Sequence, residues 1–208
     1  CELSRGLGDV YKRQLLMSNK KGAIVAIEPS SGELLTLVSA PSYNPNLLVG
    51  RERSKNYFEL YQDSIYKPLL DKGLLSTFPA GSPFKIIVGL IALEEKVISE
   101  KSTIFCKGQY IYGRNKKSMK CHCGGGYRNI YNAISESCNS YFADIYRKTI
   151  SKNNEISDNF NSWSESVKSF GLGNYLNNDL PIGKKGMIPT SEFYDRWYPD
   201  FRWGPTTN

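Results

Sequence analysis

The chain has 208 residues, enough for one sizeable domain or for a large part of a bigger one. Hydrophobic residues make up 40% of the sequence and charged residues 23%, which is typical of folded globular proteins and excludes a disordered chain. The net charge of +7 suits an anionic polymer or surface, but the basic residues are scattered and form no stripe with aromatics. This pattern argues against nucleic-acid binding. No run of 18 apolar residues is present, so no membrane-spanning helix is predicted.

Both ends of the chain look truncated. The sequence begins with Cys1 rather than Met, and residues 1–14 show neither periodicity nor continuity with the segment after residue 14. We interpret residues 1–14 as a non-native leader and exclude them from the fold. We expect residues 15–208 to form the folded part of the chain.

The first third of the chain predicts a β-hairpin followed by less regular segments. Residues 22–27 and 34–38 are two short apolar runs with Pro, Ser and Gly between them. This spacing predicts two antiparallel strands joined by a turn. We expect residues 40–46 to leave the sheet as a loop and residues 51–76 to be weakly helical.

An apolar segment at residues 86–93 follows a loop rich in Pro and Gly, and it contains no charged residue. A helix that is apolar on every face is expected to lie inside a domain, so we predict a buried helix here. Ser82 is a good cap for this helix. Pro83 suits its first turn, because backbone N–H groups there have no intrahelical acceptor and the N–H that proline lacks is not needed.

Further helices are predicted in the second half of the chain. Residues 129–150 carry apolar side chains at roughly 3.6-residue spacing, which indicates one amphipathic helix. Residues 152–161 are polar and are interpreted as a linker. Residues 163–170 predict a short helix that ends at the glycines of residues 171–173. The remaining segment is expected to be loop.

The motif Ser-x-x-Lys could supply a nucleophile and its base. One helical turn places the two residues on the same face, and a lysine can deprotonate a serine hydroxyl if burial keeps its amine neutral. The motif occurs three times, as Ser18–Lys21, Ser64–Lys67 and Ser82–Lys85.

Sequence context favours the third pair. Ser18 and Ser64 lie in polar stretches, where a lysine would stay solvated and protonated. Ser82 precedes the apolar segment, so Lys85 would enter the edge of a dry core. The helix dipole would also favour an alkoxide at Ser82 by about 0.3–1 kcal/mol. The same residues have an alternative, purely structural interpretation, in which Ser82 caps the helix and the ammonium of Lys85 extends to solvent.

The motif Ser-x-Asn could relay a proton and hold a carbonyl group or the lysine. It occurs at Ser42, Ser54, Ser137 and Ser151, so its presence alone decides nothing. Ser137-Cys138-Asn139 is embedded in the predicted amphipathic helix, 55 residues after Ser82. Two polar residues at the start of a helix would look the same.

Three cysteines and the histidine are close together in the sequence: Cys106, Cys121, His122 and Cys123. Thiolates and imidazole are the ligands that zinc prefers. However, adjacent residues such as Cys121 and His122 rarely reach one ion without strain. Outside the cytoplasm, a disulfide from Cys106 to Cys121 or to Cys123 is the simpler interpretation. Zinc, a disulfide and free thiols all stay open.

Together these segments resemble the transpeptidase domains of penicillin-binding proteins. The resemblance rests on two stretches, Pro79-Ala80-Gly81-Ser82-Pro83-Phe84-Lys85 and Ser137-Cys138-Asn139-Ser140-Tyr141-Phe142, and extends to residues 23–34, 40–46, 170–173 and 186–190. It covers about residues 20–208 and is strongest for the elongation-type class B group (penicillin-binding protein 2) of Bacteroidetes-like bacteria. Some elongation-type relatives hold a metal near the position of the cysteines, which the resemblance therefore keeps open.

The resemblance implies an α/β (α+β) serine transpeptidase fold, shared with β-lactamases. In that fold an antiparallel sheet is flanked by helices, and the helix that follows the nucleophile is buried at the centre. The family's third motif, Lys-Thr-Gly or a variant, has no match here, because Lys148-Thr149 is followed by Ile150. We therefore expect residues 15–208 to be a partial transpeptidase domain, incomplete at both ends and lacking the strand of the third motif.

By the same resemblance, Ser82 would be the nucleophile, Lys85 its base, and Ser137 and Asn139 the second motif. The implied activity is that of a peptidoglycan D,D-transpeptidase, which forms an acyl-enzyme on D-Ala-D-Ala stem peptides and needs no cofactor. The third motif would supply one oxyanion-hole donor. Because loss of one such donor lowers the rate about 100- to 1,000-fold, these 208 residues alone are expected to be inactive.

The family also implies binding partners and a location. Peptidoglycan stem peptides would be the substrates, β-lactam antibiotics would acylate Ser82, and a membrane glycan polymerase of the elongation machinery would be a partner. The protein would lie at the periplasmic face of the bacterial inner membrane, with an anchor outside this chain.

Two other interpretations are compatible with the residues. A D,D-carboxypeptidase, a serine β-lactamase or a β-lactam sensor would share the fold and the Ser-x-x-Lys pair. A non-catalytic wall-binding domain would share the fold without the activity, whereas a zinc-stabilised interaction module built around Cys106–Cys123 would use neither the fold nor the Ser-x-x-Lys pair.

Overall fold

A computed structural model describes residues 15–113, 115–153, 155–175, 180, 182–199 and 203–204. These residues group into two compact units. The hairpin unit contains the described residues before Pro79, with Leu180 and residues 182–184. The helical unit contains those from Pro79 to Tyr175 and from Lys185 onward. The predicted leader, residues 1–14, lies outside the described part of the chain.

The hairpin unit is built on the two predicted strands. Strands β1 (Gly22–Ile27) and β2 (Leu34–Ala40) pair antiparallel, with Ile24 opposite Val38 and an irregularity between Ala26 and Ile27. The predicted hairpin is therefore confirmed. A short 3-10 helix (Pro45–Leu48) and the helices α1 (Arg53–Gln62) and α2 (Lys72–Leu75) come next in the chain.

Helix α2 lies close against the hairpin. A Cβ atom at Gly73 would be 2.6 Å from Cδ1 of Leu37, so any larger residue would force Leu37 to move. The carboxylate of Asp71 starts the helix by accepting the backbone N–H groups of Gly73 and Leu74, at 2.9 and 3.1 Å. The segment after the hairpin is thus fixed by one cap and one close contact.

The helical unit contains five helices and four short strands within its described residues. The helices are α3 (Phe84–Glu94), α4 (Ile130–Ser135), α5 (Asn139–Ile150), α6 (Ile156–Ser169) and α7 (Ser191–Trp197). The strands are β3 (Ile104–Cys106), β4 (Gln109–Tyr112), β5 (Lys117–Lys120) and β6 (Gly126–Arg128). Strand β3 pairs with β6 and β4 with β5, both antiparallel. The described strands therefore form three two-stranded sheets rather than the single expected sheet.

The core of the helical unit lies where α3 packs against α5. Ile91, Ala92 and Ile145 are at most 1% exposed. A Cβ atom at Gly89 would lie 3.2 Å from Cδ1 of Ile130 and 3.5 Å from Cε1 of Phe142, so the glycine lets the helices approach closely. Each large apolar side chain buried here contributes about 1.5–3 kcal/mol.

A cluster of aromatic rings joins α6 to α7. The ring of Phe160 lies 5.4–5.8 Å from the rings of Trp163, Tyr194 and Trp203. The indole N–H of Trp203 donates to Asp195 at 2.6 Å, which satisfies the polar edge of this buried side chain. The expectation that this late segment is entirely loop was wrong, because α7 forms once these rings are buried together.

Helix α3 differs from the sequence prediction in two respects. One face of the helix is buried, at Val88, Gly89, Ile91 and Ala92. Ile86 and Leu90 are about half exposed, because their i, i+4 spacing puts them on the opposite face. Ser82 also makes no capping hydrogen bond, because its hydroxyl instead bonds side chains across the helical unit.

Other element boundaries also differ from the prediction. The segment 129–150 forms two helices rather than one, because the chain turns at residues 136–138. Helix α6 begins at Ile156, inside the predicted linker, because Phe160 supplies an apolar face that the polar composition concealed. No helix in the described part of the chain is long and apolar enough to cross a bilayer.

Candidate active site

The structure brings together the four residues that the sequence analysis selected. Ser82 and Lys85 lie at the start of α3, whereas Ser137 and Asn139 lie at the junction of α4 and α5. We call these four side chains the lysine group. They come from two segments about 50 residues apart, so only tertiary packing of α3 against the α4–α5 junction can place them together.

The amine of Lys85 contacts all three other members of the lysine group. Its Nζ lies within hydrogen-bond distance of four oxygens: Ser82 Oγ at 3.3 Å, Ser137 Oγ at 2.9 Å, the Ser137 carbonyl at 2.8 Å and Asn139 Oδ1 at 2.6 Å. The Ser137 hydroxyl also donates to Ser82 Oγ at 3.1 Å. The hydroxyls of Ser82 and Ser137 and the lysine amine therefore form one connected path for a proton.

The surroundings of Lys85 favour its neutral form. Burial lowers the pKa of the ammonium below its ordinary value, while the nearby thiols of Cys121, Cys138 and Cys123 act in the opposite direction when ionised. An ammonium has three protons for the four oxygens, and the contact to Ser82 is the longest. The neutral amine would turn its lone pair to the Ser82 hydroxyl with little change elsewhere.

Ser137 occupies an unusual backbone position. Its φ is +51°, in the left-handed region where glycine is favoured. The N–H of Ser137 bonds the carbonyl of Ile134, and the N–H of Cys138 bonds the carbonyl of Ala133, which is the Schellman arrangement that ends a helix. The hydroxyl of Ser137, held at this position, contacts both Lys85 and Ser82.

Asn139 is held by a contact that the sequence analysis missed. Its Nδ2 donates to the backbone carbonyl of Lys120, at the end of β5, at 2.9 Å. Because the amide nitrogen is fixed there, Oδ1 points to Lys85. A backbone carbonyl leaves no signal in the sequence, so only the structure could reveal this role of Lys120.

The other two Ser-x-x-Lys motifs do not form such pairs. The Ser18 hydroxyl donates to the carbonyl of Leu15 at 2.6 Å, and the ammonium of Lys21 donates to the carbonyl of Ile65. Lys67 has a φ of +47°, so Ser64 and Lys67 do not lie on a helical turn. The choice of Ser82–Lys85 from sequence context therefore agrees with the geometry.

Four cysteines form a second group beside the lysine group, which we call the thiol cluster: Cys106, Cys121, Cys123 and Cys138. Their sulfur atoms all lie within 4.8 Å of one another. Cys121 Sγ is 3.1 Å from Cys123 Sγ and 3.5 Å from Cys138 Sγ, and Cys123 Sγ is 3.4 Å from Cys106 Sγ. None of the four forms a disulfide in the described structure.

The thiol cluster differs from the set of residues that the sequence suggested. His122 is exposed and does not belong to it, because the chain bends at residues 122–123 and leaves only the two cysteine side chains in the cluster. Cys138 replaces it, although it lies 15 residues after Cys123 and was assigned only to the Ser-x-Asn motif. Spacing in the sequence could not identify Cys138, because only the folded chain places the start of α5 beside Cys121.

The cysteines differ in their tendency to ionise. Burial opposes ionisation of Cys121, but hydrogen bonds from the backbone of Ser140 and from Cys123 lower its pKa to about 6. Burial raises the pKa of Cys123 and of Cys138. Cys121 is therefore the cysteine whose ionisation this environment favours, and a bound cation would favour ionisation of Cys123 and Cys138 as well.

The thiol cluster has the donor set of a structural zinc site. Four sulfurs at about 2.3 Å from a tetrahedral zinc are about 3.8 Å apart, close to the separations found here. The backbone N–H of Ser140 bonds Cys121 and that of Tyr141 bonds Cys138, as in the outer shells of such sites. The residues fit a divalent metal that prefers sulfur.

Comparison with known proteins assigns the chain to a family. Residues 22–205 match the penicillin binding protein transpeptidase domain. The chain belongs to this family, and the predicted fold class, a serine transpeptidase fold of mixed α and β structure, is confirmed.

The relatives narrow the class further. The chain is 34% identical over 193 residues to peptidoglycan D,D-transpeptidase MrdA of Acinetobacter baumannii, covering 92% of this chain and 27% of that protein. It superposes with a TM-score of 0.76 and 30% identity on the complex of penicillin-binding protein 2 and MreC from Helicobacter pylori, covering 95% of this chain and 35% of that one. The predicted resemblance to the elongation-type class B group, penicillin-binding protein 2, is confirmed.

A more distant structure is that of an acyl-enzyme. Penicillin-binding protein A of M. tuberculosis in its imipenem acyl-enzyme complex gives a TM-score of 0.67 at 27% identity, covering 82% of this chain and 39% of that chain. The chain spans between a quarter and a third of the length of the curated relatives MrdA of A. baumannii and of Escherichia coli.

Proposed function

We propose that this chain carries the nucleophilic half of a peptidoglycan D,D-transpeptidase site, with Ser82 as nucleophile and Lys85 as base. The observation that carries the proposal is the position of Lys85 Nζ, which contacts Ser82, Ser137 and Asn139 at once. The family to which the chain belongs supports the reaction class.

The first step is acylation of Ser82. The neutral amine of Lys85 takes the hydroxyl proton as Ser82 Oγ attacks the carbonyl carbon between the two D-Ala residues of a stem peptide. An O–C bond forms, and the C–N bond then breaks. The leaving amine of the terminal D-Ala takes a proton that Lys85 passes through the Ser137 hydroxyl, which contacts both Lys85 and Ser82.

The second step transfers the acyl group. An amine from a neighbouring stem peptide attacks the ester carbon and forms a C–N bond, the ester C–O bond to Ser82 breaks, and the amine proton returns along the same path to Ser82 Oγ. Asn139 keeps the amine of Lys85 directed at this path, because its own orientation is fixed by the Lys120 carbonyl. A β-lactam would undergo the first step and remain attached, since its leaving group stays bonded to the acyl part.

A covalent-labelling experiment tests these roles. We would express the chain in the full reading frame that encodes it, incubate it with a fluorescent penicillin and locate the adduct by mass spectrometry. An adduct on Ser82 is expected, absent in Ser82→Ala and unchanged in the matched control Ser64→Ala. A well-folded protein with no adduct would contradict the enzymatic proposal and favour a non-catalytic wall-binding domain.

The lifetime of the adduct separates the activities within the fold. A transpeptidase or a sensor is expected to stay acylated for many minutes, whereas a β-lactamase would lose the adduct rapidly as water takes the acyl group. Release of D-Ala from a stem pentapeptide, without formation of a crosslinked dimer when an acceptor amine is supplied, would identify a D,D-carboxypeptidase instead.

We also propose a location and partners, supported by the family and by the net charge of +7. The protein would act at the periplasmic face of the inner membrane on an anionic wall polymer, together with a membrane glycan polymerase. Its structural relative was captured with MreC. Purification of the tagged protein from crosslinked cells should recover such partners, and its recovery from the cytoplasm alone would contradict the location.

The thiol cluster has a separate proposed role, that of a structural metal site. Cys106, Cys121, Cys123 and Cys138 would hold a divalent metal such as zinc, which would supply a crosslink between the strands and α5. Cys138 lies between Ser137 and Asn139, and Cys121 comes directly after Lys120, whose carbonyl orients Asn139. The crosslink would therefore hold the second motif in place.

Metal analysis tests this role. Protein purified under reducing conditions should contain about one zinc per chain, and cobalt substituted for zinc should give the intense charge-transfer bands of thiolate ligands. Cys106→Ser should lose the metal, whereas His122→Ala, the matched control, should keep it. A metal-free protein with a disulfide between two of these cysteines would contradict the proposal.

A further inference from the structure

Arg128 connects two parts of the helical unit that lie beside the lysine group. It is the last residue of β6, and each of its three guanidinium nitrogens donates a hydrogen bond. Nε donates to the carboxylate of Glu136 at 2.8 Å, Nη2 to the carbonyl of Cys123 at 2.7 Å, and Nη1 to the carbonyl of Tyr127 at 3.0 Å. The side chain is 14% exposed. Arg128 therefore joins the loop of the thiol cluster to the residue that precedes Ser137.

The backbone of β6 leaves space for this guanidinium. Gly126 lies two residues earlier on the same strand, and a Cβ atom there would be 3.0 Å from Nη1 of Arg128. The φ of Gly126 is +101°, in a region that glycine adopts more readily than other residues. A larger side chain at residue 126 would therefore push the guanidinium away from Glu136.

The turn at residues 136–138 carries the hydroxyl of Ser137. This hydroxyl lies 2.9 Å from Nζ of Lys85 and 3.1 Å from Oγ of Ser82. A shift of about 1 Å in the turn would break one of these contacts. The φ of +51° at Ser137 is unfavourable for a residue with a side chain, so other contacts must hold the turn. The backbone N–H groups of residues 136–138 bond only carbonyls of the six-residue helix α4, whereas Arg128 ties the turn to a strand.

We propose that Arg128 is a positioning residue for the acylation of Ser82, an inference that rests on the proposed function. Arg128 acts through Glu136, which it holds in place, on the adjacent hydroxyl of Ser137. Within the described residues, none of the hydrogen bonds of Arg128 reaches Ser82 or Lys85, so its effect is indirect. The side chain of Glu136 is 40% exposed, and ion pairs with a partner this exposed contribute little to stability. The main effect of Arg128 is therefore on the position of the turn.

Arg128→Met removes the guanidinium and keeps the apolar stem. In the full-length protein, the maximal rate of acylation by a fluorescent penicillin should fall by about 10- to 100-fold, since a misplacement of about 1 Å can lower a rate about 100-fold. The penicillin concentration that gives half of this rate should change little. Arg128→Lys should not restore the rate, because one ammonium cannot reproduce the fork that bonds Glu136 and the Cys123 carbonyl. Arg147→Met, the matched control, removes an arginine paired with Asp144 and should acylate at the normal rate.

A double variant tests whether Arg128 acts through Glu136. Glu136→Ala should also slow acylation, and the protein with both changes should be no slower than Arg128→Met alone. Losses that multiply would overturn the proposal, because the two residues would then act separately. A smaller amount of labelled protein at the normal rate would overturn it as well, because partial unfolding reduces the amount of active protein and leaves the rate unchanged.

Amide hydrogen exchange gives a measurement that does not depend on acylation. In Arg128→Met, the backbone N–H groups of Ser137 and Cys138 should exchange about tenfold faster, while those of α6 keep their rates, because only the turn is loosened. Faster exchange throughout the helical unit, or no change at these two residues, would overturn the proposal. If the unmodified protein forms no adduct on Ser82, the proposed function fails, and the exchange rates still decide whether Arg128 holds the turn.

Discussion

The lysine group and the thiol cluster share one short segment, Ser137–Asn139, and yet they satisfy their buried groups in different ways. In the lysine group, one amine faces four oxygens, so its hydrogen bonds are complete without any added component. In the thiol cluster, four sulfurs mainly face one another, and sulfur–sulfur hydrogen bonds are weak.

This difference shows that burial has opposite consequences in the two groups. Burial lowers the pKa of Lys85, which favours the neutral amine that the proposed role as base requires. Burial raises the pKa of Cys123 and of Cys138, which leaves neutral thiols that bind weakly to their surroundings until a cation ionises them. The hydrogen bonds of the first group are complete within the protein, whereas we propose that a bound metal completes the second.

Lys85→Arg tests the base most severely. Arginine keeps the positive charge but is not deprotonated in proteins, so it cannot take the proton of Ser82. The rate of acylation by a fluorescent penicillin should fall by about 100- to 10,000-fold, the usual contribution of a general base. The melting temperature should change little, because the oxygens would still face a cation. Acylation at the normal rate would exclude Lys85 as the base.

The pH profile provides a second test of the same residue. Only the neutral amine of Lys85 is active, so the acylation rate should rise as pH increases and level off above the pKa of that amine. Because burial lowers this pKa, the plateau should begin below the ordinary lysine value of 10.5. A rate that is flat from about pH 5 to 9, measured by stopped-flow fluorescence, would show that another group accepts the proton.

Cys138→Ser breaks the link between the two groups. The serine oxygen is a poorer ligand than a thiolate, so zinc affinity should fall by more than the roughly 10- to 100-fold that loss of an outer-shell partner costs, as judged by competition with a chelator. The acylation rate should fall with the metal content and recover when excess zinc is added. A normal rate in the metal-free variant would show that the thiol cluster stabilises the fold without positioning Ser137 and Asn139.

Ser137→Gly should slow acylation and yet stabilise the fold. The φ of +51° suits glycine, so the free energy of unfolding should increase by up to about 1 kcal/mol, measured by urea denaturation. Acylation should nevertheless slow, because the hydroxyl that joins Lys85 to Ser82 is lost. Ser137→Ala is the control, since it removes the same hydroxyl without relieving the backbone.

Several features of the chain were accessible from the sequence because they depend on local chemistry. The hairpin of β1 and β2 is predicted by two apolar runs around a turn. The choice of Ser82 over Ser18 and Ser64 depends on the apolar segment behind it, since only a lysine at the edge of a dry core is expected to lose its proton. The family resemblance of both motifs rests on the same local residues.

Tertiary structure alone decided the rest. The convergence of Ser82 and Lys85 on Ser137 and Asn139, the replacement of His122 by Cys138 in the thiol cluster, and the contact of Asn139 with the Lys120 carbonyl all join segments far apart in the sequence. Periodicity and composition describe which side of a helix or strand is apolar, but they do not specify which other segment covers it. That choice depends on the packing of α3, α5 and strands β3–β6 around one core.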